Sequence, residues 1–427
     1  MLRCWRQALV DVVAVVVTLS ALPGHADSLA RIVRLSYAEG EVQVDRQTGH
    51  GFERAILNLP ITQGMQLRTG GAGRAEVEFE DGTTIRLAPS SQLDFQQLSL
   101  RDSGAKASMV ELAQGTAYFD VHRQGDDKLT VAAAGSDIAI KHSSHFRVIA
   151  AESGQKIAVY SGELWVKRDG EQVEVKKGDE LSLDVANHGE LLAKEIQSGP
   201  YDDWDKQRAE YHERYYTASN YNNYPYYGRG DLSYYGGWYG LPGYGSLWQP
   251  FNVGLGWSPF DSGYWGWYPG SGYAWISGYP WGWLPYRYGS WAFVPGWGWG
   301  WSPGAQWGPW LAMPGVINAP AGFVAPRAPI APNRPIFGSV PAGSAGIPTN
   351  APRTLSSVRP TIQNAAVASA TPPAAKPPAV AGRAGFGPMP HASAAQSSLS
   401  QSGFGPGVAS HSGTAGGVSH SGMGVRH

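Results

Sequence analysis

Cysteine is nearly absent from this sequence. The chain has 427 residues and 1 cysteine, Cys4, which lies close to the N-terminus. The rest of the chain therefore forms no disulfide bond and supplies no thiol nucleophile. The sequence also lacks three motifs: the nucleophile elbow G-x-S-x-G of serine hydrolases, the phosphate-binding loop G-x-x-x-x-G-K-[ST] and the zinc-protease motif H-E-x-x-H. It therefore gives no indication of these three chemistries. We expect a protein that is not an enzyme and holds no cofactor.

The chain also lacks a strong net charge of either sign. The chain has 33 Lys and Arg against 34 Asp and Glu, a formal net charge of -1. Between residues 232 and 310 the only charged side chains are Asp261 and Arg287, and residues 311–427 contain no acidic residue. Nucleic-acid binding needs a clustered basic surface. We therefore expect no nucleic-acid partner.

No apolar run is long enough to cross a membrane comfortably. The run Val12–Leu22 is well short of the roughly 20 residues that a spanning helix needs. Arg3 and Arg6 precede it and Ala26 follows it, an arrangement typical of a secretory signal peptide. We predict a signal peptide over residues 1–26 and a periplasmic or secreted mature chain with no integral span. The alternative is an uncleaved anchor over residues 8–22.

Residues 27–197 are predicted to form an all-β domain. In one segment Ala75, Val77 and Phe79 alternate with three glutamates, a period of two that predicts a half-buried strand. Asp81-Gly82 then predicts a hairpin turn. The glutamates Glu76, Glu78 and Glu80 are expected to form the solvent-facing side. The short strands and regular turns favour a β-sandwich or roll.

The order of these elements resembles the FecR domain. The segments that carry the resemblance are Gly40–Val44, Gly64–Gly70, Ala75–Phe79, Asp81–Leu87, Gly115–Val121, Phe146–Val148, Gly162–Val166 and Gly178–Leu181. The first two segments are echoed by the last two, which predicts two similar halves around one core. FecR-like regulators relay a signal from an outer-membrane iron-transport receptor to a cytoplasmic sigma factor. Because at most about seven residues, Met1–Gln7, precede the possible anchor over residues 8–22, we expect no sigma-binding segment here.

Residues 198–220 are predicted to be a helical linker. Asp202, Asp203 and Asp205 lie where carboxylates suit the positive end of a helix dipole. Trp204, Arg208, Tyr211 and Tyr215 follow at helical spacing. We expect one short amphipathic helix that acts as a hinge or lid.

Residues 221–310 contain a repeat of the form G-x-W-x-x-x-P-G-x-G-x-x-W. Its three copies begin at Gly236, Gly263 and Gly289. Repeats of this size indicate stacked supersecondary units, and the Pro-Gly dipeptides predict short hairpins with paired aromatics. The region is similar to a Trp/Gly-rich domain of unknown function that follows FecR-like domains in some secreted bacterial proteins.

The repeated tryptophans have two possible roles. They can stack on sugars, and the candidates for such ligand stacking are Trp238, Trp248, Trp265, Trp275, Trp291 and Trp301. They can also form the core, since the repeat has few aliphatic residues and each tryptophan buries on the order of 200 Å². The sequence favours the core, and both roles are compatible if some rings face outward.

The remaining features are interpreted as structural. His142 and His145 lie three residues apart, a spacing that points strand side chains to opposite faces, so we expect surface histidines and no metal site. Residues 311–427 are rich in Pro, Ala, Gly and Ser and are predicted to be a disordered tail.

Taken together, these features predict an envelope-associated binding or scaffold protein that contains a FecR-like domain. Its expected partner is an envelope protein or a glycan. The alternative is a FecR-type signal transducer or sigma-factor regulator, anchored in the inner membrane by an uncleaved N-terminal segment.

Overall fold

The computed structural model describes residues 31, 33–184, 189–217, 228–307 and 313–330. The predicted signal peptide and most of the predicted tail lie outside these residues. Everything described belongs to one of the two units of the chain, Met1–Ser356.

The first part of the described chain, which we call the β-domain, consists of strands. In chain order they are β1 (Val33–Glu39), β2 (Val42–Asp45), β3 (Phe52–Arg54), β4 (Pro60–Ile61), β5 (Gln66–Thr69), β6 (Arg74–Glu78), β7 (Thr84–Leu87), β8 (Gln92–Leu100), β9 (Lys106–Val121), β10 (Lys128–Ala133), β11 (Ser136–Ala139), β12 (Ser144–Ala151), β13 (Gly154–Ser161), β14 (Glu163–Arg168), β15 (Glu171–Lys176), β16 (Glu180–Asp184) and β17 (Glu190–Ala193). The predicted all-β class is confirmed.

These strands form two sheets that share β9. Sheet A has the order β4-β1-β6-β7-β9-β12-β13-β16-β17, and sheet B has the order β3-β2-β5-β8-β9-β10-β11-β14-β15. The first part of β9 pairs in sheet B with β8 and β10, and its second part pairs in sheet A with β7 and β12. The long shared strand therefore ties the two layers together around one core.

A row of apolar side chains crosses the inner face of sheet A. Leu35 pairs with Val77, Val77 with Ile85, Ile85 with Phe119, and Phe119 with Phe146. All five are fully buried. The rings of Phe119 and Phe146 stack with their centroids 4.9 Å apart. The alternating segment thus buries its apolar side, as the period of two predicts.

The predicted similarity between the two halves holds for the first pair of segments. Gly40 and Gly162 have φ angles of 67° and 78°. Each lies where the chain leaves sheet A, from β1 or β13, and enters sheet B as β2 or β14. The second pair diverges, because Gly64 leads into β5 of sheet B whereas Gly178 leads into β16 of sheet A.

Two helices follow the β-domain. Helix α1 (Asp202–Thr217) begins with Asp202, Asp203 and Asp205 in its first turn, which confirms the predicted helix. Helix α2 (Arg229–Tyr235) is a short element that leads into the repeat. Within the described part of the chain, neither helix combines the length and the apolar character that crossing a membrane requires.

The rest of the described chain, which we call the aromatic domain, also consists mainly of strands. They are β18 (Gly236–Leu241), β19 (Gly245–Pro250), β20 (Gly263–Tyr268), β21 (Gly272–Ser277), β22 (Tyr288–Val294), β23 (Gly298–Trp307) and β24 (Gly315–Ile317), with a 3-10 helix at Leu284–Tyr286. Five of them form a sheet in the order β18-β19-β23-β22-β24, and β20 and β21 form a separate hairpin.

Each copy of the repeat is one hairpin, as predicted. The two tryptophans of a copy lie opposite each other: Trp238 and Trp248, Trp265 and Trp275, Trp291 and Trp301. The Pro-Gly dipeptide lies in the turn, and its glycine has a φ between 74° and 79° in all three copies. The repeat therefore encodes one local unit three times.

The predicted boundary of this domain at residue 310 is too early. Strand β24 pairs with β22 in parallel, and the ring of Phe323 lies 5.1 Å from that of Trp299. Residues 313–323 therefore belong to the aromatic domain. Their Pro, Ala and Gly content suggested a tail, but strand pairing and the contacts of Phe323 with Trp299 and Phe260 hold them in place.

Candidate functional site

Helix α1 lies across the outer face of sheet A. Strand pairing places two rows of polar side chains there: Glu76, Arg86, Tyr118 and Arg147 in one, and Arg34, Glu78, Thr84, Asp120 and His145 in the other. The helix contacts them with Asp202, Asp205, Arg208 and His212, whose spacing of three and four residues places them on one side of the helix. We call these side chains, together with Asp231, the ionic network.

Glu76 is at the centre of the ionic network. Its carboxylate lies 2.9 Å from Nε of Arg86, 2.7 Å from Nη2 of Arg208 and 2.9 Å from Nε2 of His212. The side chain is fully buried, which by itself raises its pKa, but Arg208, His212 and Arg86 outweigh burial and hold the pKa well below its usual range. Glu76 is therefore ionised, and its partners offset the cost of burying the charge.

The prediction that Glu76 and Glu78 face solvent is wrong. Their residues are 0% and 1% exposed. Glu80 is partly exposed and forms an ion pair of 2.7 Å with Arg31. The alternation correctly separated the two sides of the strand. It did not reveal that α1, distant in sequence, covers the charged side.

Two carboxylates in the first turn of α1 attach the helix to the sheet. Asp205 is buried and lies 2.6 Å from Nη1 of Arg86 and 2.7 Å from Nε2 of His145. Asp202 is the second attachment point, one turn earlier. These two contacts fix the start of the helix over the centre of sheet A.

Asp202 collects several donors at one oxygen. Its Oδ1 accepts hydrogen bonds from the hydroxyls of Tyr118 and Tyr160, at 2.8 Å and 2.9 Å, and from Nη1 of Arg147 at 2.8 Å. Burial acts to raise the pKa of Asp202, but the Gly199 N–H, the two hydroxyls and Arg147 lower it overall. The carboxylate is thus stabilised in its charged form at the start of the helix.

The ionic network continues into the aromatic domain through Asp231 of α2. Arg34 lies 3.0 Å from Glu78 and 2.5 Å from Asp231, and the hydroxyl of Tyr211 donates to Asp231 at 2.6 Å. Burial raises the pKa of Glu78, and Arg34 offsets that effect only in part. One arginine of the first strand therefore connects sheet A to the element that opens the second domain.

A second contact joins the two domains. Asn58 donates through Nδ2 to the carbonyls of Ser277 and Tyr279, at 3.2 Å and 2.7 Å. The hydroxyl of Tyr268 donates to the carbonyl of Pro60 at 2.8 Å. Buried hydrogen bonds of this kind are costly to leave unmade. The second hairpin is therefore fixed to the edge of the β-domain.

The two histidines singled out in the sequence do not converge on one site. His145 belongs to the ionic network, while the side chain of His142 is 69% exposed and lies 3.6 Å from Glu163. In the described ranges, no group of three or more His, Cys, Asp or Glu side chains is arranged to hold a metal ion. The expectation of a surface position is wrong for His145, since its imidazole lies against Asp205 of α1.

The structure separates the six candidate stacking tryptophans into two groups. Trp248, Trp275, Trp291 and Trp301 are at most 5% exposed and form part of the core. Their ring faces are covered by protein, so they do not provide a platform for a ligand. Trp238 and Trp265 are half-buried. The stacking prediction is therefore corrected for the four buried rings and stays a prediction for the other two.

Glycine explains how the buried indoles fit. A Cβ added at Gly236 would lie 2.3 Å from Cζ2 of Trp248, and one at Gly263 would lie 2.1 Å from Cζ2 of Trp275. The indole N–H of Trp248 donates to the carbonyl of Leu232 at 2.9 Å. In the first two copies the first glycine of the repeat thus leaves room for the last tryptophan, so the pattern encodes a packing contact within those two hairpins.

A different set of aromatic side chains faces outward. Tyr239 and Phe251 are 39% and 42% exposed, and Trp297 is half-buried in the turn between β22 and β23. We call these three the aromatic surface. Sequence reasoning missed them because they do not occupy the repeated tryptophan positions. The alternation along β18 could have indicated Tyr239, since it adjoins an inward Trp238.

Comparison with known families gives two matches. Residues 65–164 match the family described as FecR protein, and residues 229–326 match a family of unknown function, DUF6600. Comparison with curated proteins finds no match.

Two solved structures resemble part of the chain. They are crystal structures, at 1.65 Å and 2.50 Å resolution, of a protein from Parabacteroides distasonis described as an anti-sigma factor. Each is 18% identical with a TM-score of 0.28, and the match covers 30% of this chain. The chain spans 59% of the length of those structures.

Proposed function

We propose that this protein, in which residues 65–164 match the FecR family and residues 229–326 match a family of unknown function, is a non-enzymatic binding or scaffold protein of the cell envelope. In this proposal the mature chain is periplasmic or secreted. Its partner is an envelope protein or a glycan.

The observation that supports this proposal is the ionic network. Its buried carboxylates lie against arginine, histidine or tyrosine side chains of the same network, so their charges are used to hold α1 and α2 on sheet A. A general acid or base needs a carboxylate that reaches a substrate. Glu76 instead lies beneath α1 against two arginines and a histidine. This arrangement suits a rigid scaffold.

The same network indicates which surfaces remain for a partner. The outer face of sheet A is covered by the protein's own helix, and the second hairpin is fixed against the β-domain. The aromatic surface, in contrast, faces away from the core. Exposed aromatic side chains are enriched where proteins bind ligands and other proteins. We therefore assign the binding role to the aromatic domain and the supporting role to the FecR domain.

The FecR match also favours a second candidate, a signal transducer retained in the inner membrane by an uncleaved N-terminal segment. The two candidates differ in how the N-terminus is processed. In the first, the signal peptide is removed after Ala26. In the second, the apolar run Val12–Leu22 remains and anchors the chain.

Fractionation of tagged protein, with the N-terminus read by mass spectrometry, distinguishes the two. We expect a chain that begins at Asp27 in the periplasmic, outer-membrane or secreted fraction. An intact Met1 in the inner membrane would instead favour the transducer and direct the search to a cytoplasmic partner. A chain recovered only in the cytoplasm would refute both.

A further inference from the structure

The five-stranded sheet of the aromatic domain has two unlike faces. Trp238, Trp248 and Trp301 lie on its inner face, where the rings of Trp238 and Trp301 are 5.9 Å apart. Because side chains alternate along a strand, the neighbours of these tryptophans point to the other side. The positions on this second side are Gly237, Tyr239, Leu247, Gln249, Gly300 and Ser302. Leu247 is only 1% exposed and Gly300 is buried, so the side chains that reach solvent here are chiefly the aromatic rings.

Aromatic rings cover part of this side of the sheet. A Cβ at Gly237 would lie 3.3 Å from both Cε1 of Phe251 and the hydroxyl of Tyr239, so the absence of a side chain lets both rings approach the strand closely. A Cβ at Gly300 would lie 2.7 Å from Cζ3 of Trp297, so that indole rests directly on the glycine. The rings of Tyr239 and Trp297 meet edge to face, at 66° and 5.6 Å.

The described strands that carry this surface are uncharged. The strands β18, β19, β22 and β23 contain no Asp, Glu, Lys or Arg. Single-stranded nucleic acid needs a positively charged groove beside its stacking rings, and an anionic lipid surface needs basic residues. The neutrality therefore matches a ligand that is itself uncharged.

Polar groups stand beside the rings. Gln249 is fixed by donating through Nε2 to the carbonyl of Trp299 at 2.9 Å, and its amide lies next to Gly298, whose Cβ would be 3.7 Å from Nε2. Tyr239 adds a hydroxyl. A pyranose presents an apolar C–H face and a rim of hydroxyls, which match an aromatic ring and a neighbouring amide or hydroxyl.

From these observations we infer that the outer face of the five-stranded sheet binds an uncharged polysaccharide, with Tyr239, Trp297 and Phe251 as the stacking rings. One sugar ring lies in the corner between Tyr239 and Trp297, and the chain continues across Gly237 towards Phe251. The inference rests on the proposed binding role and names its site and ligand class. It places the ligand on positions outside the repeated tryptophans.

Calorimetric titration of the full mature chain tests this site. The probes are chitohexaose and cellohexaose, which are uncharged, with polygalacturonate as an anionic comparison and phosphatidylcholine vesicles as a lipid comparison. The variants are Trp297→Ala and Tyr239→Ala, with Tyr239→Phe to retain the ring. Leu255→Ala is the matched control, because Leu255 is 65% exposed in the same domain but lies outside the aromatic surface. Near-UV circular dichroism checks that each variant is folded.

We expect the native chain to bind at least one of the two uncharged oligosaccharides. Each alanine variant should bind about tenfold more weakly or worse, a loss of about 1.4 kcal/mol or more, because it removes one stacking ring. Tyr239→Phe keeps the stacking ring and loses the hydroxyl, so it should bind more weakly than the native chain and more tightly than Tyr239→Ala. Leu255→Ala should bind as the native chain does.

Three results would overturn the inference. They are binding that the alanine variants leave unchanged, binding to neither oligosaccharide, and binding to the vesicles or polygalacturonate in preference to the sugars. None of them decides the proposed envelope role, which depends on the cell fraction and the N-terminus of the native chain. Conversely, a cytoplasmic chain that still binds chitohexaose through Trp297 would refute that role and retain the site.

Discussion

Replacing Glu76 with glutamine should destabilise the protein strongly. The substitution keeps the shape of the side chain and removes the charge that faces Arg86, Arg208 and His212. Breaking a buried ion pair by removing one partner costs about 3–5 kcal/mol, because the other charge stays buried without compensation. Arg86 keeps Asp205 at 2.6 Å, so we expect a loss of about 3 kcal/mol, at the lower end of that range.

Urea unfolding followed by circular dichroism measures this loss. For a unit of this size an m value of about 3 kcal/mol/M would convert 3 kcal/mol into a midpoint lower by about 1 M. The matched control is Glu174→Gln on β15, which removes an equally charged side chain from a pair with Lys176. That pair spans 3.1 Å, but its side chains are 40% and 62% exposed. Exposed pairs contribute little to stability because water and salt screen them, so the control midpoint should barely move.

The argument has a clear point of failure. If Glu76→Gln and Glu174→Gln shift the midpoint equally, burial under α1 does not set the value of the Glu76 charge. A cycle with Arg208→Met adds a second check, because directly interacting residues show coupling of about 0.5–3 kcal/mol. Strict additivity of the two substitutions would contradict the contact between Glu76 and Arg208.

Three further outcomes are expected. The pKa of Glu76 is lower in the folded protein than in the unfolded chain. Its contribution to stability is therefore fully present above the unfolded pKa of about 4.3 and is lost as the pH falls through the folded pKa. Glu76→Gln should flatten the acid side of a curve of stability against pH, and an unchanged slope would refute this. Gly263→Ala should cost about 1–3 kcal/mol in urea, because the new Cβ would lie 2.1 Å from Trp275, whereas Gly240→Ala, with open space around it, should be near neutral. Asp231→Asn should lower stability by about 3 kcal/mol and expose the α2 segment to limited proteolysis, since it removes a partner of Arg34; a native cleavage pattern would count against the link between domains.

The ionic network shows how far local pattern reaches. The hairpin turn at Asp81-Gly82 sets a register in which Glu76 faces Arg86, so that one pair was within reach of the sequence. The contact between Glu76 and Arg208 could not be predicted, because the two residues are 132 positions apart in the chain. The helix itself was predictable from its first-turn aspartates. The surface of sheet A on which the helix packs was not predictable.

The aromatic domain divides in the same way. The Pro-Gly turns and the fixed repeat spacing determined three hairpins with facing tryptophans, since turn geometry and strand alternation act over a few residues. Which rings are buried depends on how the hairpins join. Trp291 and Trp301 lie in the core of the five-stranded sheet, while Trp265 lies on the separate hairpin and stays half-buried.

The sequence by itself therefore determined the elements: short strands with one apolar side, a helix that begins with carboxylates, and a repeated aromatic hairpin. Only the tertiary structure decided which side of each element is covered. Two residues show the opposite of what their side chains alone suggest: Glu76 is charged and fully buried, whereas Tyr239 carries a large ring and is 39% exposed. Alternation and helical spacing fix the direction of a side chain relative to its own strand or helix. Whether that direction leads to solvent depends on segments distant in the chain, which local periodicity does not encode.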